Sequence, residues 1–393
     1  MKPTMKILNP TFSNALQRMS APAKALSLLA AVFICACSPS TPDAKLYFSA
    51  NPIGPSANIY SFSNDGSLIK HTDDSKWRDL ELDVADNGDL AYISNWHKDF
   101  KIDLKKTGET FSLFLKEKDQ QPQQYTNNGT SNYSPKFSPD GSQIAYIKRA
   151  EDHRELRIIT RADRTERSLY SSKDILSIDW SPDGTKLAVG FVSETDSQLL
   201  VLEVASGRPQ MLFRSKLKPD SGSAKSDLND DLKQVAYVSW APDGERIAFI
   251  RNPLYKGVRQ LFLFDYKTMS SRLISNPDVQ VQDGIDWHSN GDTLLYSALV
   301  DYKFYYDETV YKKVYEGGMQ IFTSTTSGET KQLTNGDHLF KSPVYSPDED
   351  TIAYIYGERL GGRELVLKTM SADGENHTKL YDRVSPQSSL IWK

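Results

Sequence analysis

The sequence predicts an all-β chain folded as a single β-propeller of seven four-stranded blades, with six as the alternative count. Three observations predict it. A turn motif recurs along the chain, apolar residues alternate on both sides of each copy, and the two chain ends read as complementary halves of one repeat.

The motif is clearest in Phe137-Ser-Pro-Asp-Gly141, Trp180-Ser-Pro-Asp-Gly184 and Trp240-Ala-Pro-Asp-Gly244. Weaker copies are Val84-Ala-Asp-Asn-Gly88, Trp287-His-Ser-Asn-Gly291 and Tyr345-Ser-Pro-Asp-Glu349. Counted from last residue to last residue, the spacings are 53, 43, 60, 47 and 58. A base period near 43 with insertions is that of a four-stranded blade. Within the motif, Pro presets φ for a type I turn, Asp bonds back to nearby backbone, and Gly takes the positive φ that opens the next strand.

The elements of a blade follow in order. The strand before the turn alternates, as in Ile175, Ile178 and Trp180. The strand after it carries Ile144-Ala-Tyr, Leu187-Ala-Val, Ile247-Ala-Phe or Ile352-Ala-Tyr, with a small Ala where the crowded inner part of a blade needs one. A third strand follows, as in Leu199-Leu-Val-Leu-Glu203, Gln260-Leu-Phe-Leu-Phe264 and Glu364-Leu-Val-Leu-Lys368. A second turn (Ser206-Gly207, Ser327-Gly328, Asp373-Gly374) leads to a short fourth strand ending at Leu212, Leu273, Leu333 or Leu380. At the chain ends, Ser388-Ser-Leu-Ile-Trp392 matches the strand before a turn, and Pro42-Asp-Ala-Lys-Leu46 matches a turn and the strand after it. Pairing these ends closes the ring and removes exposed sheet edges.

These repeats resemble the TolB-type, WD-like propeller repeats, and the resemblance covers nearly all of residues 44–393. It implies the fold and says little about activity. The N-terminal domain that precedes the propeller in the namesake of that family has no counterpart here, so an identical role is not expected. The repeats are also similar to the propeller of prolyl-oligopeptidase-type serine peptidases, whose separate hydrolase domain carries a G-x-S-x-G elbow. No such pentapeptide occurs in this chain. Some seven-bladed saccharide lyases resemble the same repeat and use His with a divalent metal. The six His (His71, His97, His153, His288, His338, His377) show no ligand spacing and read as surface or turn residues. No H-E-x-x-H and no EF-hand loop is present.

Before the repeats, Lys2, Lys6, Arg18 and Lys24 precede an apolar run from Ala25 to Ala36, and no acidic residue appears before Asp43. The run is shorter than the roughly 20 residues a transmembrane helix needs, but it suits a secretory signal. Met5 and Met19 are alternative starts that keep this signal. It ends in Ile34-Cys35-Ala36-Cys37-Ser38, which resembles a bacterial lipobox with Cys37 as the lipidated residue. Cys35 is unsuited because Ile34 would stand before it. Ser38 after the lipidated Cys implies, by resemblance to Gram-negative lipoproteins, sorting to the outer membrane with the protein facing the periplasm. The expected organisation is residues 1–36 as signal peptide, 37–43 as lipidated N-terminus and linker, and 44–393 as propeller. With Cys35 and Cys37 the only cysteines, no disulfide is expected.

The formal charge is −4, and removing the four basic residues of the signal leaves −8. An acidic body repels phosphate backbones, so nucleic acid is not an expected partner. The Asp residues of the turns (Asp140, Asp183, Asp243, Asp348) are explained by turn geometry, and Trp180, Trp240, Trp287 and Trp392 read as inter-blade core. Three insertions give the chain its individuality: Asn95–Thr110, Lys216–Lys233, and Asp301–Gly318 with Tyr302, Phe304, Tyr305, Tyr306, Tyr311 and Tyr315. The last is either an interface or a hairpin that extends two strands and packs on itself. A second candidate site is the set of inner-strand starts expected at the channel mouth: Arg78, Asp79, Tyr133, Asp174, Asp283 and Lys341. The expectation is an envelope-anchored, non-catalytic binding propeller for envelope proteins, without cofactor or metal. The alternative is a propeller that binds or cleaves carbohydrate.

Overall fold

The computed structural model describes residues 44–51, 56–96, 110–127, 129–216, 235–251, 258–282, 284–309 and 311–393. Cys35, Cys37, the signal segment, His97, Asp283 and most of the Asn95–Thr110 and Lys216–Lys233 insertions lie outside the described residues. Every regular element among the described residues is a strand, and no helix there is long and apolar enough to cross a membrane.

The strands form five four-stranded sheets and one of nine strands. Blade 1 comprises Asp79–Val84, Leu90–Ser94, Ser112–Lys116 and Gln123–Gln124. Blade 2 comprises Asn132–Phe137, Gln143–Arg149, Arg154–Thr160 and Glu166–Ser172. Blade 3 comprises Asp174–Trp180, Lys186–Val192, Asp196–Glu203 and Pro209–Lys216. Blade 4 comprises Tyr237–Trp240, Arg246–Arg251, Gln260–Asp265 and Ser270–Leu273. The nine-stranded sheet holds two such units, linked by a single parallel bridge between Met319 and Leu339. In blade 5 the inner strand is broken into Gln280–Val281 and Asp286–Trp287; Thr293–Asp307, Lys312–Thr325 and Thr330–Gln332 follow. Blade 6 comprises Leu339–Tyr345, Thr351–Gly357, Leu365–Ser371 and Thr378–Asp382. Blade 7 joins the chain ends: Ile391–Trp392 pairs with Lys45–Ala50, and Asn58–Ser63 and Leu68–Lys70 complete it.

The repeated Ala is fully buried in each of Ala91, Ala145, Ala188, Ala248 and Ala353, because the second strand is covered by the blades on either side. The bulky residue that follows, such as Tyr146, Phe249 or Tyr354, is buried against the neighbouring blade. Trp180 and Trp240 are buried, while Trp287 and Trp392 are half-buried. In the turns, Ser138 and Ser181 donate their hydroxyls to Asp140 and Asp183, both at 2.6 Å. Those bonds, with the backbone N–H of Ser142 and Thr185, hold both carboxyls below their ordinary range. Gly141 and Gly184 have φ of 68° and 70°, a region that L side chains rarely adopt.

The chain direction gives the ring two unlike faces. Inner strands run toward the Asp-Gly turns, and third strands also end on that side. Each connection from inner to second strand in blades 1 to 6 is five residues long. The opposite face receives every inner-strand start and every second-to-third connection. There the links reach 17 residues between Ser94 and Ser112, and 20 between Lys216 and Tyr237. These two surfaces are called the turn face and the insertion face.

Candidate functional sites in the channel and on the insertion face

An inner strand is the edge of its sheet, so its outward N–H groups need acceptors. Neighbouring blades supply them. Asp83 accepts the backbone N–H of Phe137, Asp179 that of Trp240, and Asp286 that of Tyr345, each at 2.7 Å. Glu81 accepts the N–H of Ser134 at 2.6 Å, and the Ser177 hydroxyl accepts that of Val238 at 3.1 Å. Carboxylates of blades 1, 3 and 5 thus cap the strand edges of blades 2, 4 and 6. The aim of these side chains comes from bulges. Glu81, Ser134 and Ser342 have φ of 47°, 49° and 52°, and the pairing register shifts beside each. Gly284 holds the corresponding place in blade 5 with φ of 94°.

All seven inner strands line one central cavity of about 550 Å³. Its charged side chains include Glu81, Asp83, Asp179, Asp286 and Lys136. The Lys136 ammonium stands 3.9 Å from Asp83, and that carboxylate holds the lysine charged above its usual range. These groups lie inside the ring, where the surrounding protein solvates charge poorly. Burial accordingly pushes Asp179 up to about 6, against the pull of Lys136 and the Trp240 N–H. Burial moves Asp286 up to about 6 as well, against the Tyr345 and Trp287 N–H groups. Sequence reading passed over these residues. Their signal is the position just before the first residue of each motif, which reads Asp83, Lys136, Asp179, Ser239, Asp286 and Val344 along the chain.

The described inner-strand starts, Arg78, Asp79, Tyr133, Asp174 and Lys341, are not in the lining of this cavity. Asp79 is 5% exposed; burial pushes it up to about 6 against hydrogen bonds from Ser94 and Thr72. It faces the interior rather than the channel mouth, because it sits where blades 7 and 1 meet, with its carbonyl accepting the Ser49 hydroxyl. Tyr133 and Asp174 are brought together by Arg154, whose guanidinium lies 5.4 Å from the Tyr133 ring centre and 2.8 Å from Asp174. Lys341 donates to the Pro386 carbonyl at 2.9 Å, and Arg78 donates to the side chain of Gln387. These last two clamp the segment that enters the shared blade. Among the described residues the histidines are dispersed, and no group of three His, Cys, Asp or Glu suited to a metal occurs there.

The Asp301–Gly318 insertion is a two-stranded extension of blade 5 that projects from the insertion face. Its register runs from Lys303 opposite Glu316 to Asp307 opposite Lys312. A bulge at Asp301, φ 52°, and two glycines form its neck. A Cβ on Gly317 would lie 2.4 Å from the Val300 carbonyl, and one on Gly318 would lie 2.2 Å from the Gly336 carbonyl. Self-packing is limited. Phe304 and Tyr315 have ring centres 5.2 Å apart, Tyr305 donates to Glu316 at 3.0 Å, and Tyr315 rests beside Gly361 of blade 6. Tyr302 is half-buried, yet Phe304, Tyr305, Tyr306, Tyr311 and Tyr315 are all exposed, Tyr311 by 79%.

Comparison with known proteins agrees with this architecture. Over 151 residues, 38% of the chain, it is 24% identical to a protein of Sulfurisphaera tokodaii described as the C-terminal subunit of a Tricorn-like protease. The match spans 15% of that relative's length. Among solved structures, an oligogalacturonate lyase in complex with manganese superimposes with a TM-score of 0.57 at 12% identity, covering 86% of this chain and 84% of that one. A puromycin-hydrolyzing peptidase of Mycobacterium tuberculosis gives 0.52 at 12% identity, over 79% of this chain and 50% of that one. TolB from Acinetobacter baumannii gives 0.49 at 14% identity, over 86% and 78%. At such identities the likenesses to the lyase and the peptidase show the fold alone. The family model of the TolB beta propeller domain matches residues 90–392, and the chain belongs to that family.

Proposed function

We propose that this protein is a non-catalytic, envelope-anchored binding propeller that presents its insertion face to a protein partner. The observation that carries the reading is the projecting hairpin of blade 5. It holds five of the large exposed apolar or aromatic side chains of the described surface. Exposed rings on a short, register-fixed ribbon lose little conformational freedom on binding and suit an interface centre. Localisation rests on the Ile34-Cys35-Ala36-Cys37 lipobox, with Cys37 as the acylated residue. The channel supports a binding rather than a catalytic reading, because Asp83, Asp179 and Asp286 already accept backbone N–H groups.

The test is crosslinking in the envelope, with a photoreactive residue replacing Tyr311 and, in parallel, Ser67 on the turn face. A protein adduct specific to position 311 and lost on Tyr305→Ala supports the reading. Adducts at neither site, or retention of a saccharide instead, would favour the carbohydrate alternative. Labelled fatty acid incorporated by the parent and by Cys35→Ala, but not by Cys37→Ala, supports the anchor; uptake by Cys37→Ala would overturn it.

A further inference from the structure

We propose that the turn face at blades 7 and 1 is the membrane-facing side of the propeller, where a lysine-lined cleft docks on anionic lipid headgroups. This rests on the reading of Cys37 as the lipid anchor.

The cleft has a volume of about 540 Å³ and is lined by Lys45, Lys70, Lys116, Lys118 and Lys393. Asp86 and Asp119 are the acidic side chains in the same lining. Lys70 pairs with Asp73, and Lys393 pairs with Asp86 at 3.1 Å. Lys116 and Lys118 make no ion pair among the described residues. The field of this cluster registers on His71 at the cleft wall. Burial first, then Lys116 and Lys45, depress its pKa to about 4, so the imidazole adds no charge at neutral pH.

Tether geometry selects the occupant. Lys45 opens its strand on the turn face, where its backbone exchanges hydrogen bonds with Lys393 at the end of the inner strand. Eight peptide steps separate it from Cys37, a span of at most about 29 Å at full extension. An acylated Cys37 therefore keeps this corner of the turn face within reach of the lipid surface, while the hairpin of blade 5 leaves from the opposite face. Elsewhere the turn face carries Asp140, Asp183, Asp243 and Asp348. An anionic surface attracts the lysine corner, while turn acids elsewhere on this face are answered by cations, as Asp243 is by Arg246. The propeller then stands tilted on blades 7 and 1, with the insertion face turned away from the membrane.

The experiment uses the full chain, acylated in cells and reconstituted in phosphatidylcholine vesicles with or without phosphatidylglycerol. A fluorophore is placed on Ser67→Cys at the turn face or on Glu308→Cys at the hairpin, with a headgroup nitroxide as quencher. Quenching should be strong at position 67, weak at 308, and stronger at 67 with phosphatidylglycerol. The double change Lys116→Glu and Lys118→Glu should erase that lipid dependence. Equal quenching at both positions, or lipid dependence that survives the double change, overturns the proposal. A second arm uses the Cys37→Ser full chain in vesicle flotation. Partition into phosphatidylglycerol vesicles should fall roughly tenfold or more on the double change, with Lys116→Gln and Lys118→Gln intermediate and an unchanged melting temperature. Flotation that the double change leaves unaltered, with acylation of the parent chain intact, refutes the lysine cleft alone. Absence of acyl label with intact flotation dependence refutes the anchor alone.

Discussion

The two faces of this propeller are made by the same strands and are governed by different rules. On the turn face the connections from inner to second strand have one length, and the serine hydroxyls and Asp carboxylates of the turns answer to each other within five residues. On the insertion face the connections vary severalfold, and the blade 5 hairpin leaves five rings in solvent. Short links that satisfy their own polar groups specify the fold. Links that leave apolar surface unburied have to be explained by something outside the chain.

That contrast can be broken most severely at the closure. Deleting Ser388 to Lys393 removes buried Leu390, the pairing of Leu46 and Tyr47, and the Ser388 hydroxyl that accepts the Ser49 N–H at 2.8 Å. Each fully buried large apolar side chain is worth about 1.5–3 kcal/mol, so the loss should approach the stability of a marginal fold. A truncated chain that melts at the parent temperature would show that the ring does not depend on this blade.

The neck of the hairpin comes next. Gly318→Ala drives a methyl to 2.2 Å from the Gly336 carbonyl, and overpacking of that kind costs about 1–3 kcal/mol. The lowered stability should be visible by urea titration. An unchanged midpoint would mean that the hairpin pivots without cost.

The carboxylate caps have a smaller effect with a distinctive pH signature. Asp179→Ala leaves the Trp240 N–H without its acceptor and should cost about 1–3 kcal/mol. Asp179→Asn keeps an acceptor. Because burial raises Asp179 to about 6 in the folded state, the folded protein binds more protons than the unfolded chain between about pH 4 and 6. The contribution of this group therefore falls as pH rises through that window and is level above it. The Asn variant should lose that slope, gaining relative to the parent at pH 7 and not at pH 4. A parallel pH profile for the two proteins would remove the desolvation argument.

The smallest stability change belongs to the surface with the largest expected role in binding. Tyr311→Ala should leave stability within about 0.5 kcal/mol and weaken partner binding by roughly 2 kcal/mol or more. Tyr315→Ala should destabilise more, because that ring packs on Phe304 and beside Gly361. Equal stability losses at both positions would make the hairpin a structural element on both of its sides.

The parts of this molecule that were legible in sequence are those whose partners are near in the chain. Asp140 and Asp183 could be assigned to turns because Ser138, Ser142, Ser181 and Thr185 lie within two residues of them. Asp83, Asp179 and Asp286 could not be assigned, because the N–H groups they accept lie 54, 61 and 59 residues further on. Asp79 shows the same limit from the other side. Its place at the start of an inner strand suggested a solvated rim, while the packing of blade 7 on blade 1 encloses it.

By itself the sequence determined the repeat, the strand order within each blade and the complementary ends, since each follows from turn chemistry and alternation over a few residues. It also marked the aromatic insertion as unusual. Only the tertiary structure decided which side of the ring each loop occupies, which carboxylates cap the strands of a neighbouring blade, and how many rings of the hairpin remain in water. Those outcomes depend on how separate blades pack around a common axis, and burial, field and hydrogen-bond supply at a residue are set there by groups that the local sequence does not contain.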